Sequence, residues 1–379
     1  MPGRRIVFIT DLPLELEFAP VSRLFHLARI CAANGADVQL LGCRSNSGLS
    51  DKLVDVVHLP IPSPGKGQAR VPFNPVVRRA VADADAVVVR GYFVAFWILR
   101  FAVRKKLKVR ILDFHGSSWL EKANRSIVRM LSKYMEVTSF RNATHILSVS
   151  RGCAEHVGDL VRDKVVILQN GVDHKAFQNV PKTGLFGVPA EFSKSGQLRV
   201  GVVAHFGNNL ELETVRRAIS IAPPSVRWII VGHGPGLIPD KFVGMDSCYL
   251  AGPRSHTEIK SFLRHECDVA LVPYDADTVQ SGIPGFFSAR KVREYLAAGV
   301  PVLVPDIPGK DEVLQGGENS LFFVPGDEVS LVDQLRRIAD DGRLHLRLRQ
   351  GAFESGEQLD WSRVAGDAGL IQLLRDIME

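Results

Sequence analysis

The sequence predicts an α/β fold with two successive Rossmann-like domains that face one cleft. Short β-branched runs alternate with helical patterns along all 379 residues, which is the pattern of parallel sheets covered by helices. The alternation is interrupted near residues 177–196, a stretch of Pro, Gly, Lys and Ser with little periodicity. A chain of this length also exceeds one ordinary core, so two or three domains are expected.

The first half opens with a strand, a helix and a strand at residues 5–10, 21–33 and 38–41. The strands are apolar and rich in β-branched residues, whereas the helix has apolar residues three and four positions apart and ends before Gly35. Such a unit begins a doubly wound sheet. Further strands are predicted at residues 86–89, 109–113 and 145–149. Residues 59–75 form a Pro/Gly-rich loop with basic residues.

The second half repeats the alternation, with strands at residues 199–203, 228–231, 269–272 and 302–304. The final segment, residues 361–377, is amphipathic and predicts one helix. We therefore divide the chain into an N-terminal domain, a linker, a C-terminal domain and a C-terminal helix, at residues 1–180, 181–198, 199–355 and 356–379. The C-terminal helix is expected to return to the N-terminal domain.

The helix that starts at Ser288 and ends before Gly299 is the most informative element. Serine caps a helix start through its hydroxyl, and glycine can adopt the left-handed conformation that ends a helix. The first turn carries Arg290 and Lys291, and Glu294 follows. Basic residues at this end oppose the helix dipole, which favours an anionic ligand there. Solvated charges on a surface helix are the open alternative.

Composition excludes several function classes. Hydrophobic residues make up 46% and charged residues 23%, as in soluble globular proteins. The N-terminus lacks an apolar segment with a small-residue cleavage site, so no signal peptide is expected. The longest apolar stretch, residues 92–103, contains Arg100 and is too short to span a bilayer. The five cysteines show no CxxC pairing, which favours reduced thiols in a cytoplasmic protein and disfavours a zinc site.

Positive charge is concentrated in the first half. Residues 1–176 carry 26 Lys and Arg against 15 Asp and Glu, whereas the remainder carries 21 against 26. Such asymmetry predicts two units with different partners. The basic unit suits an anionic membrane surface or a phosphorylated substrate. Nucleic acid is not expected, because the basic half has no interleaved aromatic residues and no recognised nucleic-acid-binding module.

Ligands of open α/β sheets bind at the carboxyl ends of the strands. The residues that follow predicted strands there are His115, Ser150, Gly232 and Gly234, and the segment VVILQNGVD adds Asn170 and Gly171. His115 also suits a core histidine bonded to a backbone carbonyl, and Asn170-Gly171 also suits an ordinary tight turn. The glycines of WIIVGHGPG let a ligand approach the backbone, but the full GxGxxG fingerprint with a later acidic residue is missing. This disfavours a dinucleotide dehydrogenase.

Several segments in order resemble retaining glycosyltransferases of the GT-B fold, particularly glycosyltransferase family 4 (glycosyl transferases group 1). The segments are SVSRGCAEHV, VVILQNGVDHKAF, WIIVGHGPG, CDVALVPY and KVREYLAAGVPVLVPDIPGKDEVL. The resemblance implies that Glu294 is the second carboxylate of the family's E-x7-E pattern and binds the ribose hydroxyls, and that His115 contacts the transferred sugar. Carboxylates readily accept two hydrogen bonds from a diol.

The resemblance also implies the remaining site residues. Ser288, Arg290 and Lys291 would hold the diphosphate, and Lys291 joins His115 and Glu294 in the predicted catalytic set. Gly232, Gly234 and Arg254 are predicted in the nucleotide-sugar site. Ser150, Asn170 and Gly171 are predicted at the cleft and hinge. No metal is expected, since this fold usually stabilises the leaving diphosphate through a helix terminus and basic side chains.

The chain departs from the family pattern at three places. Phe286 occupies the position of the first E-x7-E carboxylate, within the predicted donor site. The Arg and Lys that usually clamp the diphosphate are missing from VVAHFGNNLELE, and we expect Arg290 and Lys291 to substitute for them. The first loop, TDLPLELEFAP, has no Gly-Gly pair. Nucleotide binding is still predicted despite these departures, but the identity of the donor sugar is not.

The basic first half contains a predicted helix at residues 121–141 with an amphipathic arrangement. One face carries Lys122, Arg125, Arg129 and Lys133, and the opposite side carries Ile127, Met130, Leu131, Tyr134 and Met135. The basic stripe suits a lipid-linked diphosphate acceptor at the inner membrane surface. A solvated face that keeps the protein soluble is the open alternative.

We therefore expect a retaining glycosyltransferase that moves a hexosyl residue from a UDP- or GDP-sugar to a hydroxyl acceptor, without metal or other cofactor. The acceptor is a glycan, a lipid-linked molecule or a small molecule, and the protein is expected in the cytoplasm with peripheral contact to an anionic membrane. Two alternatives stay open. Phe286 favours a non-catalytic GT-B-like protein that binds nucleotide sugars, and a sugar-nucleotide epimerase would share the two-domain plan.

Overall fold

The computed structural model describes residues 3–16, 19–45, 48–61, 66–116, 126–183, 187–194, 196–206, 210, 212–234, 237–275 and 290–378. The chain divides into two compact units. The first unit comprises Met1–Asn170 and Val364–Glu379, and the second comprises Gly171–Arg363. Each unit is built around a parallel sheet of its own, so the predicted α/β class with two Rossmann-like domains is confirmed.

Within the described residues, the sheet of the first unit has seven strands in the order β3-β2-β1-β4-β5-β6-β7. They are β1 (Arg5–Pro13), β2 (Asp37–Cys43), β3 (Asp55–Leu59), β4 (Ala86–Val89), β5 (Val109–Phe114), β6 (His145–Ser148) and β7 (Val165–Ile167). The α-helices are α1 (Ala19–Ala33), α2 (Pro75–Ala82), α3 (Tyr92–Arg104), α4 (Ser126–Asn142) and α5 (Arg151–His156). The order reverses between β1 and β4, which places a ligand crevice at their carboxyl ends.

The second unit repeats this plan with a described sheet of six strands in the order β10-β9-β8-β11-β12-β13. They are β8 (Leu198–His205), β9 (Val226–His233), β10 (Cys248–Gly252), β11 (Val269–Leu271), β12 (Val302–Pro305) and β13 (Ser320–Phe323). The α-helices are α6 (His174–Gln178), α7 (Leu212–Ile221), α8 (His256–Glu266), α9 (Arg290–Ala297), α10 (Glu328–Asp340), α11 (Gly342–Gln358) and α12 (Trp361–Val364). Here the order reverses between β8 and β11.

Helices cover both faces of the second sheet. Trp228 and Ile230 of β9 join one buried apolar cluster, whereas Ile229 and Val231 join the other. This division follows from the two-residue repeat of a strand, whose successive side chains point to opposite faces. A strand buried on both faces has an apolar run instead of an alternating pattern. The central strands were predicted from such runs.

The four strands that sequence patterns do not predict are the four sheet edges, namely β3, β7, β10 and β13. An edge strand has one paired neighbour and often exposes one face, so its apolar pattern is weaker. The side chains of β3 and β10 are mostly half-buried, with the patterns DVVHL and CYLAG. The residue patterns that identify the central strands are therefore missing from β3 and β10.

The predicted helix over residues 361–377 is wrong in one respect, because the segment forms two helices. α12 ends at Val364, and a second helix, α13, spans Ala368–Met378. The carboxylate of Asp367 accepts hydrogen bonds from the backbone N–H groups of Gly369 and Leu370, and so caps the start of α13. α13 belongs to the first unit, as predicted, and Asp376 lies 3.2 Å from His145 Nε2 there.

α4 exposes the apolar side of the predicted amphipathic helix. Ile127, Met130, Leu131 and Tyr134 are 69%, 65%, 52% and 57% exposed, whereas the buried side chains of α4 include Ser132, Glu136 and Ser139. Glu136 is paired with His156 at 3.1 Å, and the Ser139 hydroxyl donates to the backbone of Met135. Lys122 and Arg125 of the predicted stripe lie outside the described residues. The exposed apolar side therefore needs an explanation other than the core.

Candidate functional site

α9 is held firmly against the sheet of the second unit. Its side chains Val292, Tyr295 and Leu296 are buried, and the Tyr295 hydroxyl donates to Val203 O at 3.0 Å and accepts from Val203 N at 3.2 Å. Gly299 follows the helix with φ +72°, as predicted for a left-handed helix end. These contacts fix α9 beside β8. Two predicted site residues, Ser288 and Phe286, lie outside the described residues.

Glu294 is a mostly buried carboxylate on α9 with two described partners. Its Oε1 accepts hydrogen bonds from Arg290 Nε at 2.7 Å and from His256 Nε2 at 3.2 Å. Burial alone would raise the pKa of Glu294, but the hydrogen bond from His256 and the charge of Arg290 lower it below its ordinary value. No residue in the described part of the chain donates to Oε2. An ionised carboxylate therefore has one oxygen available for a ligand.

His256 is a site residue that the sequence analysis missed. Ser255 caps α8 in a capping box with Glu258, which places His256 in the first turn of that helix. The capping pattern predicts where α8 starts, but the pairing of His256 with a carboxylate 38 positions later depends on the tertiary fold. The predicted site residue Arg254 lies just before this helix, where its Nε donates to Ala251 O at 3.1 Å.

Lys291 lies near the point where the strand order of the second sheet reverses. Its Nζ is 5.3 Å from the ring centroid of Tyr274, which follows β11 and pairs with Leu210 beyond the end of β8. Burial lowers the pKa of Lys291 to about 8. The ammonium group retains its charge near neutral pH, and an anion beside it would raise that pKa again. Lys291 is therefore well suited to hold a phosphate group.

Glycine is required at positions 232 and 234, at the end of β9, because the backbone that follows along β8 leaves no room for a side chain. Their φ values are +132° and +142°, and added Cβ atoms would lie 1.8 Å from Ala204 O and 2.4 Å from Phe206 O. Backbone packing against β8 thus accounts for both glycines without a ligand. The same strand ends bring His205 and His233 together, with ring centroids 5.1 Å apart.

A buried charged group, here named the Asp113 cluster, lies at the strand ends of the first unit. It consists of Asp113, Arg23, Arg90, His115 and Asn170. Asp113 Oδ1 accepts from Arg23 Nε at 2.9 Å, while Oδ2 accepts from Arg90 Nη1 at 2.8 Å and lies 3.0 Å from His115 Nε2. Arg23 Nη1 also donates to Asn170 Oδ1 at 3.2 Å. Two predicted site residues, His115 and Asn170, therefore meet in one network.

Ionisation in the Asp113 cluster is governed by burial and by the two guanidinium groups. Burial alone would raise the pKa of Asp113, but His115, Arg23 and Arg90 lower it well below its usual range. Burial and the charge of Arg90 lower the pKa of His115 to about 3. This low pKa favours the neutral imidazole of His115 at physiological pH.

Ser150 and Gly171 have structural contacts that account for their residue types. The Ser150 hydroxyl caps α5 by accepting from Cys153 N at 3.1 Å. A Cβ at Gly171 would lie 2.4 Å from the Trp361 ring, so only glycine lets this side chain approach. The hinge role predicted for both residues stays a prediction.

The described residues contain neither a metal-ligand cluster nor a membrane-spanning helix. No group of three or more His, Cys, Asp or Glu side chains is arranged to hold a metal ion within the described ranges. In the same part of the chain, no helix is both long enough and apolar enough to cross a membrane.

Comparison with known proteins identifies both units. The model of "Glycosyltransferase Family 4" matches residues 21–176, and that of "Glycosyl transferases group 1" matches residues 198–341. No curated protein sequence matches the chain. Similar solved structures include sucrose-phosphate synthase from Thermosynechococcus elongatus, with a TM-score of 0.73 at 16% identity over 97% of this chain and 98% of that one.

Two further structures show the same architecture. Anabaena HepE in complex with UDP-glucose has a TM-score of 0.72 at 15% identity, over 98% of this chain and 100% of that one. WaaG, a glycosyltransferase involved in lipopolysaccharide biosynthesis, has a TM-score of 0.65 at 14% identity, over 97% and 99% of the chains. At these identities the structures support the fold alone. The two family matches together cover most of the chain and show that it is a glycosyltransferase with a Family 4 domain followed by a group 1 domain, and its fold is the GT-B fold of these structures.

Proposed function

We propose that this glycosyltransferase transfers a hexosyl residue from a UDP- or GDP-sugar to a hydroxyl acceptor, with retention of configuration and without a metal. The observation that carries the donor assignment is Glu294, an ionised and mostly buried carboxylate with one oxygen left for a ligand. The complex of HepE with UDP-glucose supports the donor class by similarity. Retention and metal independence rest on the resemblance to the family alone.

The second unit supplies the groups that this reaction requires of a donor site. Glu294 Oε2 would accept hydrogen bonds from the ribose hydroxyls, while Oε1 stays bonded to Arg290 and His256. Lys291 would face the diphosphate, where negative charge grows as the bond to the sugar breaks. A cation already in place near a buried site stabilises that charge without reorganisation.

A non-catalytic nucleotide-sugar-binding protein is the second candidate. Phe286 stands where the family pattern has a carboxylate, and this residue favours binding without transfer. Slow hydrolysis of the donor by purified protein would support the transferase, since it requires cleavage of the bond to the sugar. A protein that binds the donor and never cleaves it would support the second candidate.

Donor binding is expected to raise the melting temperature in a panel of UDP, GDP, ADP and their sugars. A ligand that binds only the folded state stabilises it by about 2.7 kcal/mol at about 100 times its Kd. One base should therefore give a clear shift in differential scanning fluorimetry. Uridine and inorganic phosphate serve as controls, because each offers only part of the ligand. Equal, negligible shifts for every nucleotide would contradict the proposal.

The acceptor side is proposed to contact an anionic lipid bilayer through α3 and α4. The exposed apolar side of α4 lies beside α3, where Tyr134 packs against Phe96 with ring centroids 5.9 Å apart. Every exposed charged side chain on these two described helices is basic, and Lys105 and Lys106 extend the charge. Apolar side chains surrounded by basic ones suit the interface of an anionic membrane. A lipid-linked acceptor would be presented at that surface.

Membrane contact predicts that Leu131→Glu weakens binding to vesicles that contain anionic lipids. Burying one leucine contributes about 1.5–3 kcal/mol, so at least about a tenfold loss in vesicle partitioning is expected. Cosedimentation measures it, with neutral vesicles compared in parallel. Leu346→Glu is the matched control, because Leu346 on α11 is also highly exposed, at 70%. Equal binding by both variants and the wild type would exclude α4 as the contact.

A further inference from the structure

His115 has one polar partner among the described residues, the carboxylate of Asp113. Its Nε2 lies 3.0 Å from Asp113 Oδ2, and the Asp113 side chain has no exposed area. An ionised carboxylate only accepts hydrogen bonds, so the nitrogen that faces it must carry a proton. The imidazole is 20% exposed. Its other nitrogen, Nδ1, has no bonding partner in the described part of the chain.

The carboxylate of Asp113 is fixed on both oxygens. Arg23 from α1 binds Oδ1, and Arg90 at the end of β4 binds Oδ2. Arg23 is itself held by Gln169 O at 3.0 Å and by Asn170. Asp113 therefore has no alternative orientation that keeps both guanidinium groups paired. Pairing of this kind offsets part of the cost of burying these charges.

The positive charges of Arg90 and Arg23 both oppose a second proton on His115. The charged groups that act on its imidazole are Asp113 on β5, Arg90 on β4 and Arg23 on α1, and Asp11 on β1 acts on Arg90. Protonation would place three cations around the single carboxylate of Asp113. With the Nε2 proton donated and a second proton excluded, Nδ1 keeps its lone pair.

We propose that Asp113 is a positioning residue that fixes His115 as the neutral Nε2–H tautomer, so that Nδ1 accepts a hydrogen bond from a substrate hydroxyl. In this arrangement His115 orients a hydroxyl and does not shuttle protons, because its basicity is too low near neutral pH. Only the identity of that hydroxyl, on the donor sugar or the acceptor, depends on the proposed function.

The tautomer can be observed directly in the unmodified protein. We expect long-range ¹⁵N–¹H correlation spectra of histidine-labelled protein to show His115 as the Nε2–H form from about pH 5 to 8, without titration. The His115→Ala spectrum assigns its signals. His265 provides an internal comparison, because its Nε2 lies 2.9 Å from the carbonyl oxygen of Val180 and away from the cluster. An Nδ1–H tautomer or a midpoint near pH 6.5 would overturn the proposal.

Two substitutions distinguish which ring nitrogen of His115 supports turnover. The amide of asparagine reaches the position of Nδ1, whereas that of glutamine reaches the position of Nε2. If Nδ1 is the acceptor, His115→Asn should retain about fivefold more kcat than His115→Gln, because the net contribution of one hydrogen bond, about 1 kcal/mol, corresponds to about that factor. Both variants should keep the wild-type Kd for the nucleoside diphosphate. A better activity of His115→Gln would contradict the assignment.

Asp113→Asn tests the positioning role. If the variant folds, it should populate the Nδ1–H tautomer and lose kcat, with the nucleotide Kd unchanged. An unchanged tautomer together with unchanged kcat would overturn the proposal. The spectra of the wild type decide the tautomer even if this variant does not fold. They also decide it if no donor is ever turned over, so failure of the proposed function is distinguishable from failure of this inference.

Discussion

Replacing Asp113 by alanine is expected to lower the free energy of unfolding by about 3–5 kcal/mol, because two buried guanidinium groups lose the carboxylate that they share. Arg23 is 1% exposed and Arg90 is 9% exposed, so neither can recover hydration without disrupting the first unit. Urea unfolding followed by circular dichroism measures the loss. A change below about 1 kcal/mol would contradict the electrostatic argument.

A matched control and the pH dependence separate this effect from a general loss of charge. Asp83→Ala removes an aspartate from the same unit that is 55% exposed in its ion pair with Arg79, and should cost less than about 1 kcal/mol. The pKa of Asp113 in the folded state lies well below its ordinary value of 3.8. Its stabilisation is therefore complete above about pH 4 and is lost as the pH falls further. The deficit of Asp113→Ala should shrink in that acidic range.

The sequence predicts the interior of each sheet better than its edges. β4 was predicted with its observed bounds, because four consecutive apolar residues buried on both faces leave an unmistakable run. β7 has only three residues, and Ile167 at its end is 42% exposed. Such a strand forms because it pairs with a single neighbouring strand. Its own residues do not predict that pairing.

The two candidate sites also differ in how far the sequence predicts them. Glu294 and Lys291 share one helix with capping signals, so local sequence predicts their common placement. The Asp113 cluster joins residues up to 147 positions apart, which no local pattern shows. A partial signal existed, since Arg90 directly follows one predicted strand and Asp113 ends the next, two positions before His115. Arg23 and Arg90 contribute to the positive charge of the first half, and no pattern around them predicts a site residue.

α4 illustrates a further limit. Its amphipathic pattern correctly separates an apolar side from a basic one, but periodicity does not say which side faces the core. Glu136 and Ser139 are buried because His156 and the backbone satisfy their polar groups. Such specific partners outweigh the general preference for apolar burial, and they are set by the tertiary fold.

Glu294→Gln is expected to weaken binding of the matching nucleoside diphosphate by about 10- to 100-fold. Hydrogen bonds to a charged group contribute about 1.5–3 kcal/mol, and the amide replaces one acceptor oxygen with a donor. Arg290 and His256 both donate to Oε1, so the amide would turn its oxygen toward them and present NH₂ to the ribose. Isothermal titration calorimetry measures the loss, and circular dichroism checks the fold.

The assignment to ribose is tested with a ligand that lacks the diol. The wild type should bind the 2′,3′-dideoxy nucleoside diphosphate more weakly than the parent nucleotide, whereas Glu294→Gln should bind the two almost equally. Glu328→Gln is the control, because this carboxylate lies in α10 of the same unit and is paired with Arg217 on α7. If Glu294→Gln lost the same factor for both nucleotides, the carboxylate would act on the phosphates or on the fold. Undiminished affinity would remove Glu294 from the donor site altogether.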